Sequence, residues 1–190
     1  GGTWGAPAGA NANVLRVAGD GLEPAKSTRI TTFMARSRIE MRMKLRMTAE
    51  QVLEQSVKAI RWGREYTDNV EFSPEDAGRS DPDFLCRLLE ATIAAGAATV
   101  NIPDTVGYTM PWQFGALIGS LRERIPNSDR AVWAVHCHND LGVAVANSLA
   151  AVMTGGGQVE CAVNGPGGRR GNASPEGSVQ AGRSRRDDFA

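Results

Sequence analysis

A chain of 190 residues can hold one domain with a real core, and 42% hydrophobic against 22% charged residues is the balance of a soluble globular protein. Lysine plus arginine match aspartate plus glutamate at 21 each, so no net field argues for nucleic acid or an anionic membrane, and no apolar run reaches membrane-spanning length. The 3 cysteines, Cys86, Cys137 and Cys161, lack C-x-x-C spacing and read as free thiols in a reducing, cytoplasmic setting.

The chain opens Gly1-Gly2-Thr3-Trp4 with no signal-peptide pattern and reads as a piece of something longer. Residues 1–27 are rich in Gly, Ala, Pro and Asn, with weak periodicity around Val14, Leu15 and Val17. They are expected to form a poorly ordered lead-in with the frayed end of a helix, ahead of a catalytic domain over residues 28–190. Arg29 to Met34 is β-branched and aromatic, a short strand. Beyond an Arg/Met-rich connection, Thr48-x-x-Gln51 is a capping box, and Val52, Leu53, Ser56, Val57 and Ile60 form the buried stripe of the helix it opens. Val70 to Ser73 is the next strand, and Asp81-Pro82 caps a helix whose inner face is Phe84, Leu85, Leu88, Leu89 and Ile93, ending at Gly96. Thr99 to Ile102 is a third strand; a helix from Pro111 turns Phe114, Leu117, Ile118, Leu121 and Ile125 inward. Val132 to Val135 leads into His136, residues 141–154 are helical, and a fifth strand spans 158–163 ahead of a glycine-rich loop, Asn164 to Asn172.

Five strands alternating with four helices are the pattern of βα units on a parallel sheet, where function sits on loops leaving the C-terminal strand ends. Every polar cluster falls at such a place: Ser73 to Asp76, Pro103 to Thr105, His136 to Asp140, and Asn164 to Asn172. An open doubly wound sheet usually carries G-x-G-x-x-G after its first strand, and none is present, so a (β/α)8 barrel is the expected fold. Five units are too few to close one. The chain is expected to supply its C-terminal portion, about strands 4 to 8, with the rest upstream.

His136 and His138, the only 2 histidines, are spaced i, i+2 on a strand and point to one face while Cys137 points to the other. Two imidazoles at one strand end are a natural pair of metal ligands, against the plainer alternative of satisfied core or surface histidines. Glu75 and Asp76 read equally as loop carboxylates capping a helix, Asp104 and Thr105 as turn formers, Asn172 as a left-handed loop residue, and Arg169 and Arg170 as solvated cations. Cys137 and Cys161 read as buried packing thiols, and Tyr108 and Trp133 as core aromatics.

Taken together, Val70-Glu-Phe-Ser-Pro-Glu-Asp-Ala-Gly-Arg-Ser80, Asn101-Ile-Pro-Asp-Thr-Val-Gly-Tyr108, His136-Cys-His-Asn-Asp-Leu-Gly142 and Asn147-Ser-Leu-Ala-Ala151 closely resemble the 2-isopropylmalate synthases, from about Leu22 to Asp187. The histidine motif alone is shared with homocitrate and citramalate synthases and 3-hydroxy-3-methylglutaryl-CoA lyase. The resemblance implies a Claisen-type condensation of acetyl-CoA, as co-substrate, with 3-methyl-2-oxobutanoate. It implies that His136, His138 and Asn172 bind a divalent metal (Mg2+, Mn2+ or Zn2+) beside the 2-oxo acid. It implies that Ser73, Pro103 and Thr105 shape the substrate pocket, that Glu75 belongs to the acid–base machinery, and that the full-length enzyme is a homodimer. Arg169 is a candidate contact to coenzyme A, because barrels often hold phosphates at that loop. Homocitrate or citramalate synthase, and a decayed, non-catalytic homologue, are the competing readings.

The sequence departs from that family's pattern in several places. No Arg-Asp-Gly-x-Gln motif is present, the family's usual histidine is Thr31, and a histidine common near Glu40 is missing. The usual Gly-Glu-Arg-Ala-Gly-Asn loop reads Gly167-Gly168-Arg169-Arg170-Gly171-Asn172, and the family's regulatory domain is not among these 190 residues. Two histidines and an asparagine without a carboxylate make a weak cation site, so the chain by itself is expected to be inactive.

Overall fold

Each apolar run that alternates with a periodic stretch becomes a βα unit, and the units lie side by side in chain order. The computed structural model describes residues 3–34 and 47–184. The Arg/Met-rich connection, with the Glu40 position, and Arg185 to Asp187 lie outside the described residues.

Strands β1 (Trp4–Gly9), β2 (Thr28–Met34), β3 (Val70–Pro74), β4 (Thr99–Asp104), β5 (Val132–Cys137) and β6 (Gln158–Glu160) form one sheet in the order β1-β2-β3-β4-β5-β6, all pairs parallel. Helices α1 (Ala12–Leu22), α2 (Ala49–Arg64), α3 (Pro82–Ala94), α4 (Pro111–Arg124), α5 (Ala144–Met153) and α6 (Pro175–Ser184) complete the units. The start signals work as their chemistry dictates. Thr48 Oγ1 accepts from the Gln51 amide at 3.2 Å while the Thr48 amide donates to Gln51 Oε1 at 2.8 Å, closing the capping box of α2. Asp81 Oδ1 accepts from the Phe84 amide at 2.9 Å, with Pro82 in the first turn of α3.

Of the expected poorly ordered lead-in, residues 3–27 are described and supply a further strand and a helix, β1 and α1, so the histidine strand is fifth of six among the described residues instead of fourth of five. The helix was hidden because one of its buried positions is a glycine. Leu15, Gly19 and Leu22 are its buried residues, and a Cβ on Gly19 would lie 2.3 Å from the Tyr66 ring. Asn11 caps it, its side chain accepting from the Asn13 amide at 2.9 Å. Strand β6 stops at Glu160, short of the expected Val163, because the chain turns there: Gly165 N donates to Ala162 O at 2.6 Å, and Asn164 has φ +62°.

The register sorts the two faces of the sheet. Toward the helices point Ile30, Val70, Phe72, Val100, Ile102, Trp133, Val135 and Cys137, all buried in the apolar core. Toward the other face point Arg29, Thr31, Glu71, Ser73, Thr99, Asn101, Pro103, His136, Gln158 and Glu160. Arg29 Nη1 donates both to Glu71 Oε2 on β3 at 2.9 Å and to Gln158 Oε1 on β6 at 3.0 Å. In a flat sheet β2 and β6 would stand four strand spacings, roughly 19 Å, apart. One side chain reaches both only because the sheet curls, making this polar face the concave inside of a partial barrel.

Candidate functional site

The concave face carries a polar layer whose upper end is the histidine pair. Pro103, His136 and Glu160 form one row across β4, β5 and β6. The imidazoles of His136 and His138 stand edge-to-face, ring centres 5.0 Å apart. Beyond the end of β5, His138 pairs antiparallel with Asn172, which returns on the loop after β6 and so lies beside it. Asn172 has no positive φ; its role is this pairing, not a left-handed turn. Its Nδ2 donates to Pro166 O at 3.1 Å.

Three atoms here are buried without a hydrogen-bond partner: His136 Nδ1, His138 Nδ1 and Asn172 Oδ1. His136 Nδ1 lies 3.3 Å from Glu160 Oε2, but off the direction of a hydrogen bond. Buried nitrogen and oxygen atoms left unpaired cost free energy unless something else satisfies them, and this set has the chemistry of a divalent-cation site. Burial lowers the His138 pKa, with His136 and Arg169 acting in the same direction, which keeps its ring neutral and able to ligate. Among the described residues no cluster of three or more His, Cys, Asp or Glu is suited to a metal, so the candidate set rests on two imidazoles and an amide.

Behind the histidines lies a carboxylate pair that sequence reasoning missed. Glu71 is fully buried, and burial, then the charge of Glu160, raises its pKa to about 7. Burial also disfavours charge on Glu160, but the neighbouring His136 ring and Glu71 outweigh it and hold its pKa below the usual range. Burial thus favours the protonated form on Glu71, the drier partner, over Glu160. Glu71 is held by Arg29 and accepts from Thr31 Oγ1 at 3.3 Å. The available signal was alternation: Arg29, Thr31, Glu71, Asn101, Gln158 and Glu160 sit at every second place of otherwise apolar strands.

Glu75 sits two strands from the histidine strand, half-buried at the end of β3, with its amide donating to Met34 O at 3.0 Å. It borders a pocket of about 400 Å3 with Asn11, Phe33, Met34, Met47 and Gln55. Ser73, half-buried on the concave face, stands opposite Phe33. Asp76 does not cap α3; its buried carboxylate takes two bonds from Arg79, at 2.8 and 2.7 Å. Thr105 links the ends of the sheet, since its Oγ1 accepts from the Asp76 amide at 2.9 Å and its carbonyl accepts from Arg169 Nη2 at 2.6 Å. Asp104 faces away from the concave side and accepts from the Tyr108 and Thr109 amides, Thr109 Oγ1 and Asn147 Nδ2, so it builds its loop as a turn former does. The structure thus sets His136 and His138 ring to ring and His138 beside Asn172, with Pro103 opposite His136 and Thr105 on the rim.

Three side-chain expectations need correction or refinement. Tyr108 is 65% exposed and not core, whereas Trp133 is buried, its Nε1 donating to Ser128 O. Cys161 is exposed, because β6 ends before it, while Cys137 is buried and its thiol pKa is pushed up to about 12 by desolvation. Arg169 is not simply solvated, being bound to Asp140 and Thr105.

The HMGL-like family model matches residues 6–186. The chain is 67% identical over 175 residues to the 2-isopropylmalate synthase of Nitrosospira multiformis, covering 92% of this chain and 34% of that protein. It is 66% identical over 172 residues to the one from Nitrosomonas eutropha, again covering 34% of it. The chain therefore spans about a third of the length of the curated relatives it matches. Solved structures of hydroxymethylglutaryl-CoA lyase from Pseudomonas aeruginosa (TM-score 0.77, 20% identity, 99% of this chain and 63% of that one) and HMG-CoA lyase from Bacillus subtilis (TM-score 0.78, 21%, 95% and 62%) share the fold. No helix among the described residues is long and apolar enough to cross a membrane. With a family model spanning nearly all of its length, the chain is a homologue of 2-isopropylmalate synthase and belongs to the HMGL-like family.

Proposed function

We propose that this chain provides the metal- and oxo-acid-binding part of a 2-isopropylmalate synthase, condensing acetyl-CoA with 3-methyl-2-oxobutanoate inside a (β/α)8 barrel. The observation that carries the reading is the trio of buried, unpartnered ligand atoms on His136, His138 and Asn172 at the strand ends of a chain so similar to these enzymes. A divalent cation held there (Mg2+, Mn2+ or Zn2+) supplies Lewis-acid polarisation of the ketone. The chain's own residues do the rest. His136 and His138 present their imidazoles, Pro103 and Ser73 wall the oxo acid, and Thr105 ties the β3 and β4 loops around it. Glu75, half-buried beside its pocket, exchanges the proton of the acetyl methyl group or of the new alkoxide. Arg169 contacts the coenzyme A phosphates through the edge of its guanidinium turned away from Asp140. A homodimer and a cytoplasmic setting for the whole protein belong to the same proposal.

Titrating the chain with 3-methyl-2-oxobutanoate by calorimetry, with and without Mn2+, tests this. The expected result is binding that requires the metal, is lost in His138→Ala, and is tighter than for pyruvate or 2-oxoglutarate. Preference for pyruvate or 2-oxoglutarate moves the assignment to citramalate or homocitrate synthase. No metal-dependent binding at all overturns the reading in favour of a non-catalytic homologue.

A further inference from the structure

The rim above the histidines carries an ion pair, Arg169 with Asp140, and the coenzyme A contact proposed above uses only the guanidinium edge turned away from it. Arg169 donates through Nε to Asp140 Oδ1 at 2.8 Å and through Nη2 to Asp140 Oδ2 at 2.9 Å, and the same Nη2 donates to Thr105 O at 2.6 Å. This planar fork joins three loops, those after β4, β5 and β6. Arg169 holds the contact from a left-handed backbone, φ +55°, which is sterically unfavourable for a residue with a side chain and persists where surrounding bonds enforce it. The loop after β4 is fitted against the pair as well: a Cβ on Gly107 would lie 2.6 Å from Asp140 Oδ2 and 2.9 Å from His138 O.

The placement in sequence gives the pair its consequence. Asp140 lies two residues beyond His138, and Arg169 lies three residues before Asn172. Between them the two loops share two backbone hydrogen bonds, Asn139 N to Gly171 O at 2.8 Å and Ala173 N to Cys137 O at 3.0 Å. We propose that Asp140 and Arg169 are positioning residues, a clasp that fixes the separation of His138 and Asn172 and so sets the affinity of the cation site. This rests on the metal reading above. The pair is partly exposed, with side-chain exposures of 24% and 48%, so it adds little to overall stability. Its effect is geometric, in the way that outer partners orient metal ligands.

A double-mutant cycle in the 190-residue chain tests the clasp, using Asp140→Asn, Arg169→Gln and both together, with Mn2+ affinity and hydrogen exchange of the Asn139 amide in metal-free protein as readouts. Each single variant is expected to weaken Mn2+ binding roughly tenfold. The double variant is expected to be no weaker than either single one, and Asn139 exchange to quicken in all three with Tm unchanged. Arg169→Lys is expected to behave like Arg169→Gln, since an ammonium cannot span Asp140 and Thr105 as a fork. Losses that multiply in the double variant, or unchanged affinity and exchange, overturn the proposal. If the wild type binds no Mn2+, the metal reading falls and the affinity-setting role with it. Asn139 exchange then still shows whether the clasp holds the loops together.

Discussion

The two faces of one sheet divide the labour of this molecule. On the helix side, Val70, Phe72, Val100, Ile102 and Val135 have no exposure, an apolar layer whose burial is the main driving force for folding. On the concave side the same sheet places Arg29, Glu71, Asn101, His136 and Glu160, polar groups that packing alone would not choose. Because side chains alternate, both layers are written into the same few residues, and one residue step separates a stability position from a chemistry position. Glu71 lies between Val70 and Phe72; His136 lies between Val135 and Cys137. Substitutions on one face should therefore move stability, and those on the other should move metal binding or pH response.

The largest effect is expected from Phe72→Ala, which opens a cavity in the helix-side layer and costs about 3–5 kcal/mol. Thermal unfolding should show it as a large drop in Tm, with Mn2+ affinity unchanged at temperatures where the variant stays folded. Next comes His138→Ala on the rim of the concave side. It should weaken Mn2+ binding by at least about a hundredfold, beyond the range of outer-partner losses, as read by competition with a fluorescent chelator. Metal-free Tm should not fall, because a buried atom without a partner has been removed.

A smaller effect concerns Glu71. Its carboxyl titrates near 4.5 when unperturbed and near 7 in the fold, so between these values the folded chain binds more protons than the unfolded one. Its contribution to stability is full below 4.5 and is lost as pH rises through about 7. Glu160, held low by His136 and Glu71, contributes the opposite way, its share vanishing as acid takes the pH below the usual carboxylate range. Denaturant midpoints measured from pH 5 to 8 should fall with pH in the wild type and flatten in Glu71→Gln. The smallest effect is expected at the surface, where Asp83 meets Arg124 on α3 and α4, both well exposed. Asp83→Asn should leave Tm and Mn2+ affinity within error. A large change there would break the division between the faces.

Most of the architecture could be read from the chain because local signals agreed with the tertiary answer. The β-branched runs at Arg29, Val70, Thr99 and Val132 became strands, and the caps at Thr48 and Asp81 opened helices where expected. The first βα unit escaped because its strand is Gly- and Ala-rich and its helix buries Gly19 under Tyr66, so hydrophobic periodicity was faint. The histidines and Asn172 were found through spacing and resemblance, and the structure sets His138 beside Asn172. The Arg29–Glu71–Gln158 connection escaped for a different reason. Its partners lie 42 and 129 residues apart, and only the curl of the sheet brings them together. Tyr108 and Cys161 were misplaced because residue type foretells average burial, while a turn decides the individual case.

The central claim is that His136 and His138 act together on one cation, and the chain's own composition makes this directly measurable. With only 2 histidines present, a 15N-histidine NMR spectrum reports the pair without overlap. On titration with Mn2+, both imidazoles should broaden together and saturate at one ion per chain, and Asn172→Ala should weaken the saturation of both. Broadening of a single ring, or of neither, at stoichiometric Mn2+ would contradict the account.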